Sequence, residues 1–441
     1  MKLAIIGTGY VGLVSGPCFA EFGMDVVCVD KNVARIEGLQ RGEMPIYEPG
    51  LDALIARNVA TGRLTFTTDL AAAVGDADAV FIAVGTPSRR GDGHADLTYV
   101  FDAAREIASN LTRPTVVVTK STVPVGTGQR LQALFDELCP GLGVVVASNP
   151  EFLREGSAIE DFMRPDRVIC GVASERAREV LAEVYRPLNL IETPVLFVDI
   201  PTAELTKYAA NSFLAMKITF INEIADLCEA VGGNVQDVAR GIGMDGRIGR
   251  KFLHAGPGYG GSCFPKDTLA LLRTAEQAGV PQRIVEAVVA VNDGRKRSMA
   301  RRIVRACGGE VRGRTIAVLG VTFKPNTDDV RDSPGLVVLP LLQAEGAVVR
   351  VVDPEGRHQG EAELPGVAWY ADPYEAADGA DALVLLTEWN QFRGLDLERL
   401  RGAMAGPVFV DLRNVYKPTE AAAAGFVYHS IGRPVALPAS A

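Results

Sequence analysis

The sequence predicts an α/β protein with two doubly wound, Rossmann-like domains joined by a long central helix and a small helical domain. Three observations carry this. Short β-branched runs alternate with helical stretches up to about residue 200, Glu204–Val231 then contains neither Gly nor Pro, and the alternation resumes at Thr315. Alternating strand and helix buries a parallel sheet between helical layers. The domain boundaries that follow are 1–200, 201–306 and 307–441.

In the first part, Leu3–Ile6, Val26–Val29, Leu64–Thr67, Ala79–Val84, Thr115–Thr119 and Val144–Ala147 read as buried strands. Ala34–Leu39 and Tyr99–Ala108 carry helical spacing between them. In Glu204–Val231 apolar residues recur every three or four positions: Leu205, Tyr208, Phe213, Met216, Phe220, Ile224 and Leu227. That is one helix, stopped by Gly232-Gly233. Its bulk of apolar side chains predicts a link between domains or a seam in a homodimer or higher homo-oligomer. Further strands are expected at Ile316–Leu319, Val348–Val352, Ala382–Leu386 and Val408–Val410. The pair Ile316–Gly320 and Val352-Asp353 echoes Ile5–Gly9 and Val29-Asp30, predicting a second nucleotide-binding-like domain. The tail after Gly432 reads as frayed.

A chain of 441 residues exceeds one ordinary core. Its formal charge of -9 argues against nucleic acid as a partner. Seven scattered cysteines without a CxxC pair, and four dispersed histidines, predict neither a disulfide scaffold nor a metal site. A reducing cytoplasm is expected. Leu3–Ala20 is uncharged and follows Lys2, like a secretory signal, but four glycines interrupt it. Later uncharged runs fall short of the roughly 20 apolar residues that a bilayer needs.

Gly7-Thr8-Gly9-Tyr10-Val11-Gly12 follows the first strand and opens the first helix. Glycines there permit a tight turn and let a pyrophosphate approach the helix N-terminus. Asp30 ends the next strand, about 20 residues on, where a carboxylate accepts ribose hydroxyls and repels a 2′-phosphate. NAD is therefore expected over NADP, with Arg35 within reach of the adenosine end.

The densest chemical signal is Gly256-Pro-Gly-Tyr-Gly-Gly-Ser-Cys263-Phe-Pro-Lys-Asp267. The glycines predict unusual dihedrals and open space beside the backbone. Pro265 suits the first turn of a helix running through Leu272. Cys263 then stands just before a helix N-terminus and beside Lys266, and both favour the thiolate.

Gly260–Asp267 closely resembles the active-site segment of the UDP-glucose/GDP-mannose dehydrogenase family. The resemblance extends over nearly the whole chain, through Met1–Val14, Gly85–Pro87, Ser121–Gly126, Asn149–Gly156, Glu204–Asn211, Phe323–Arg331 and Tyr428–Arg433. It implies two successive oxidations at the C6 alcohol of a nucleotide sugar, by way of an aldehyde, a Cys263 thiohemiacetal and a thioester. UDP-glucose, giving UDP-glucuronate, is the substrate it favours; GDP-mannose and UDP-N-acetylhexosamines are the sister substrates.

Lys207 and Asn211, spaced i,i+4 on one helix, share a face, and the resemblance assigns them to steadying the developing oxyanion. It assigns Glu151, Thr122 and Asp267 to acid–base and water-positioning work, without deciding which removes each proton. Thr86, Thr122, Glu155, Lys266 and Arg331 would touch NAD. Glu151, Phe152, Leu153, Arg154 and Glu155 would line the nucleotide sugar, as would Phe252, Leu253, His254, Ala255 and Gly256. Gly260 would close against it, Phe323 and Lys324 would help hold it, and Arg247 would reach it, from a partner subunit in one version. His254 stands where many relatives carry Lys, which puts a direct charge contact there in doubt. A one-step hydroxyacid-type dehydrogenase would not need Cys263. An inactive NAD- or nucleotide-sugar-binding regulator would need no nucleophile.

Overall fold

A computed structural model describes residues 1–87, 89 and 93–438. The chain divides into two compact units, Met1–Ala210 with Leu269–Val280, and Asn211–Thr268 with Pro281–Ala441.

The first unit is built on eight strands: β1 (Lys2–Ile6), β2 (Asp25–Val29), β3 (Leu64–Thr67), β4 (Ala79–Ile82), β5 (Val116–Thr119), β6 (Val145–Ser148), β7 (Val168–Gly171) and β8 (Val195–Val198). They lie in the order β3-β2-β1-β4-β5-β6-β7-β8. The first six are parallel; β7 meets β6 antiparallel and β8 runs parallel to β7. Successive residues of a strand face opposite sides. Leu3, Ile5 and Phe81 accordingly pack with Phe19 and Tyr185, while Ala4, Ile6 and Val80 pack with Leu131 and Phe135. Both faces are buried, so the strands read as continuous apolar runs rather than alternating ones.

The second unit carries β9 (Thr315–Leu319), β10 (Val348–Val352), β11 (Ala368–Tyr370), β12 (Ala382–Leu385), β13 (Val408–Asp411) and β14 (Val427–Ser430), ordered β11-β10-β9-β12-β13-β14. All its pairings are parallel. Ile316, Val318, Val384 and Val410 pack there against Ile221, Met299 and Ile303. These last three come from the helices Ile200–Val231 and Arg283–Ala306.

The long helix begins four residues before the expected Glu204, with Pro201 in its first turn, where a missing amide proton costs nothing. One expectation needs correction. The tail does not fray directly after Gly432. Arg433 is buried, donating to Ser430 Oγ (3.0 Å), the Tyr428 hydroxyl (3.1 Å) and the Tyr416 carbonyl (3.3 Å), and Ala436 bridges to Tyr428. Residues 439–441 lie outside the described residues. The echo between Asp30 and Asp353 is one of topology only. Asp353 Oδ2 accepts the Val321 amide (2.6 Å) and the Thr322 amide (2.9 Å), and Oδ1 accepts the Gly356 amide (2.7 Å), so this carboxylate serves the backbone.

Glu204, on the first turns of the long helix, caps the helix Thr127–Leu138. Its carboxylate accepts the amides of Gly126 and Gly128 at 2.7 Å each. Burial pushes its pKa up to about 7, against the pull of those two amides. The ordinary Glu value is about 4.3. Between these values the folded chain binds more protons than the unfolded one. The stability this group adds is therefore complete below pH ~4.3 and lost as pH rises through 7. Urea unfolding at pH 5 and pH 8 should show Glu204→Gln losing less stability across that interval than the parent. The difference is at most on the order of 3 kcal/mol.

Candidate active site

The turn after β1 uses its glycines in two ways. A Cβ on Gly7, which has φ +105°, would lie 2.8 Å from the Ala83 carbonyl oxygen. One on Gly12 would lie 1.9 Å from the Gly7 carbonyl oxygen. Both are packing glycines. Gly9 caps the helix Tyr10–Glu21, and nothing lies within 4 Å of the place where its Cβ would be. The first amides of that helix have no carbonyl one turn earlier, so this open end suits a pyrophosphate. Tyr10 and Val11 form the first turn and pack against the core, with the Tyr10 hydroxyl donating to Glu48.

Asp30 directly follows β2. Its Oδ2 accepts the Thr8 amide and hydroxyl, both at 2.8 Å, and its Oδ1 accepts the Asn32 amide at 2.9 Å. Arg35 lies 3.8 Å away. Burial pushes the Asp30 pKa up, but the Asn32 and Thr8 hydrogen bonds and the Arg35 charge outweigh it and hold the group below the usual range. The strand order reverses between β1 and β4, the crevice where open α/β sheets bind ligands. The loop after β4 is tied to the loop after β5 by Thr86 Oγ1, which donates to the Thr122 carbonyl at 3.0 Å, and by Ser121 Oγ, which donates to the Val84 carbonyl at 2.7 Å.

Beyond β6, Glu151 and Lys207 form a buried ion pair at 3.0 Å, their side chains 5% and 2% exposed. Glu151 Oε2 also accepts the Leu153 amide at 2.6 Å. Burial pushes the Glu151 pKa up, yet the Lys207 charge and hydrogen bond, the Leu153 amide and the nearby Lys120 charge bring it below the usual range. Lys207 stands 5.3 Å from the centre of the Phe152 ring, on which the Arg167 guanidinium stacks at 3.8 Å. Glu155 is buried, whereas Arg154 is held on the Asp161 carboxylate.

The second unit holds the cysteine. Cys263 immediately precedes the helix Phe264–Gln277, and its carbonyl accepts the Asp267 amide at 2.8 Å. Ser262 Oγ lies 3.6 Å from the sulfur. Asp267 is fully buried, one oxygen accepting from Asn211 Nδ2 (2.6 Å) and the other from Lys266 Nζ (2.7 Å). Lys207 and Asn211, one turn apart on the long helix, thus each engage a carboxylate, Glu151 and Asp267 respectively.

The expectation of open space beside the loop glycines is overturned. A Cβ on Gly260 would meet the Asp332 carbonyl oxygen at 2.4 Å, one on Gly261 the Phe323 ring at 2.7 Å, and one on Gly258 Asn292 Oδ1 at 2.9 Å. The Gly261 amide donates to the Arg331 carbonyl at 2.8 Å. These glycines let segment 256–261 lie directly on segment 323–333.

Elsewhere, Phe252 has φ +65° and stacks on Phe264 at 6.0 Å. Leu253 and Ala255 are buried, and the Gly256 amide donates to Asn222 Oδ1 at 2.8 Å. His254 is exposed. Arg247 is exposed and paired with Asp245, so the described chain does not bring it to these clusters. Lys324 Nζ lies 5.3 Å from the Phe323 ring centre, and Arg331 pairs with Asp329. Three buried or half-buried residues here were missed from sequence. Glu48 accepts the amides of Gly156 and Ala158, Lys120 donates to Asn149 just after β6, and Arg413 donates to the carbonyls of Phe323 (2.8 Å) and Leu386 (2.9 Å). The positions of Lys120 and Arg413 just after strand ends were the signals that could have pointed to them.

Three models of one family match the chain: the NAD binding domain, the central domain and the UDP binding domain of the UDP-glucose/GDP-mannose dehydrogenases, over residues 1–189, 201–294 and 317–418. The chain belongs to this family. As a UDP-glucose/GDP-mannose dehydrogenase family member it is an NAD-dependent oxidoreductase, and the open Gly9 turn with anionic Asp30 fits that cofactor. It is 64% identical to a UDP-glucose 6-dehydrogenase of Rhizobium meliloti, over 98% of this chain and 100% of that one. It is 48% identical to the UDP-glucose 6-dehydrogenase TuaD of Bacillus subtilis, over 98% and 93%. Among solved structures it resembles a UDP-glucose dehydrogenase of Pyrobaculum islandicum, with TM-score 0.89 and 42% identity over 99% and 98% of the two chains. Among the described residues no helix is long and apolar enough to cross a membrane.

The two kinds of glycine should separate experimentally. Gly9→Ala should fold with an unchanged melting temperature and bind NAD at least about tenfold more weakly, a cost of ~1.4 kcal/mol. Gly12→Ala should instead lower the melting temperature itself, because its Cβ has no room. Calorimetric titration and thermal melts of both variants check this.

Proposed function

We propose that this enzyme oxidises C6 of UDP-glucose twice, converting UDP-glucose, two NAD and water into UDP-glucuronate, two NADH and three protons. The observation that carries the proposal is Cys263 at the start of a helix, with Asp267 one turn on, held between Asn211 and Lys266. The 64% identity to a UDP-glucose 6-dehydrogenase supports the choice of sugar nucleotide.

NAD, held by the Gly7–Gly12 turn and Asp30, supplies the hydride acceptor for both oxidations. The remaining work falls to side chains. Glu151, kept ionised, accepts the proton released from the C6 hydroxyl, while the Lys207 ammonium steadies the alkoxide. A cation fixed in a buried site needs little reorganisation as charge develops, and such a donor contributes on the order of 3 kcal/mol. The Cys263 thiolate, favoured by its helix N-terminus, adds to the aldehyde carbon, and the new oxyanion takes up a proton. The thiohemiacetal gives up its hydroxyl proton and a hydride to become a thioester. Water then attacks that carbonyl, the C–S bond breaks, and the thiolate leaves as the carboxylate forms, with both protons of the water released. Asp267 orients the water and steadies Asn211 for the tetrahedral oxyanion.

We assign 1–200 to cofactor binding, 201–306 to the nucleophile and self-association, and 307–441 to the UDP-sugar. Phe213, Phe220, Leu227 and Val231 remain exposed at near-heptad spacing on the long helix, which supports a homodimer along that face. Analytical ultracentrifugation giving a monomer at working concentration would refute it.

The deciding measurement is NADH formed per limiting UDP-glucose, with UDP-galactose, UDP-N-acetylglucosamine and GDP-mannose alongside. Two NADH from UDP-glucose, with little turnover of the others, is expected. Cys263→Ala should abolish the second oxidation and leave no more than one NADH per sugar. Lys207→Ala should lower kcat by about 10²- to 10³-fold. Two NADH from a different sugar nucleotide would keep the chemistry and reassign the substrate.

A further inference from the structure

Lys120 is a buried cation that the reaction above does not use. It follows β5, two residues before Thr122, and its backbone amide donates to the Ile82 carbonyl at 2.9 Å. Its ammonium donates to Asn149 Oδ1 at 2.9 Å and to the Tyr185 hydroxyl at 3.1 Å. Phe162 and Tyr185 flank it, their ring centres 5.5 and 5.8 Å away. Those two hydrogen-bond partners are neutral. A lysine buried among aromatic rings is costly unless its charge has a task.

The task is visible in what Asn149 holds. Asn149 follows β6 directly, and Glu151 is two residues further along. The Asn149 backbone amide donates to the Thr119 carbonyl at 2.8 Å, and its side-chain Nδ2 donates to the Ile169 carbonyl at 2.8 Å. Its remaining acceptor, Oδ1, receives both Lys120 and the Tyr185 hydroxyl. Lys120 thereby completes the fixation of the strand end that presents Glu151.

The charged groups that Lys120 feels are Glu151 and Lys207; burial keeps the nearby thiols of Cys170 and Cys18 protonated and neutral. Burial pushes its pKa down to about 8, with Glu151 the largest opposing influence. Lys120 reciprocally helps to keep Glu151 ionised. The lysine side chains thus bring two positive charges to the surroundings of one carboxylate.

We propose that Lys120 is a positioning residue for the acid–base step, clamping the end of β6 through Asn149 and holding Glu151 as the anion. This rests on the role given to Glu151 above. Removing the charge raises the Glu151 pKa, so the base is lost at a higher pH. The variants are Lys120→Met, Lys120→Gln, which keeps a donor for Asn149, and Lys120→Arg, which keeps the charge. The measurement is the pH profile of kcat for UDP-glucose oxidation by the full chain with saturating NAD.

In the neutral variants the acid limb should move upward by about one pH unit, while Lys120→Arg keeps the parental limb. A rate loss equal at every pH, with the limb unmoved, would reduce Lys120 to a structural residue and overturn the proposal. So would an Arg limb displaced as far as that of Gln. If neither neutral variant folds, the Arg profile decides alone: a parental limb supports the proposal and a displaced one overturns it. Glu151→Gln is run beside them. An acid limb that persists there refutes the role of Glu151 itself, and the proposal with it, a result distinct from an unmoved limb in Lys120→Gln.

Discussion

The Lys207–Glu151 ion pair constrains much of the first unit. Both groups are out of water, and taking two charges from water costs several kcal/mol each before their attraction is counted. Such a pair contributes little net stability. It persists because breaking it would strand a buried charge, and because an ionised carboxylate beside an ammonium suits proton transfer. The surroundings serve the pair accordingly. Glu204 seats the long helix on the amides of Gly126 and Gly128, three residues before Lys207. Leu153 donates its amide to the second Glu151 oxygen, and Phe152 offers a ring face to the lysine.

In the second unit the equivalent constraint is contact between backbones. Segment 256–261 passes so close to segment 323–333 that side chains at Gly260 and Gly261 would overlap Asp332 and Phe323. Arg413 ties the same region together from the end of β13, donating to two carbonyls. The glycine-rich run before Cys263 is therefore a packing solution. It fixes the chain entering the helix that Cys263 caps, leaving the sulfur only partly buried. A side chain on a rigid helix start is held more closely than one on a loose loop.

Much of this could be read from sequence where a single residue type has one physical use. The continuous apolar runs of β1, β4 and β5 marked a sheet buried on both faces. The Gly7–Gly12 run marked a tight strand-to-helix turn with Asp30 beside it, and Cys263 before Pro265 marked a helix start. The rest depended on distant partners. The β7 run Val-Ile-Cys-Gly is too short to distinguish from a helix fragment, and its antiparallel pairing to β6 has no local signal. β11 is three residues long, and β14 ends in His and Ser. Lys120 looks like any surface lysine until Tyr185 and Phe162, far along the chain, close over it. Asp267 and Asn211 are 56 residues apart, and no spacing rule joins them.

The two sheets show how one topology can be put to different uses. In both, a strand is followed directly by Asp beside the turn after the central strand. A carboxylate offers about four acceptor positions. Asp353 receives the amides of Val321, Thr322, Glu355 and Gly356 and the Thr322 hydroxyl, so it has no capacity left for a ligand. Asp30 receives three donors, two of them on Oδ2, which leaves room on Oδ1. The turns differ to match. After β1 a second glycine, Gly9, keeps the helix start open, whereas Val321-Thr322 occupies that place after β9 and spends its amides on Asp353. A repeated strand–turn–Asp pattern therefore implies a dinucleotide site only where the turn leaves the carboxylate acceptors unspent.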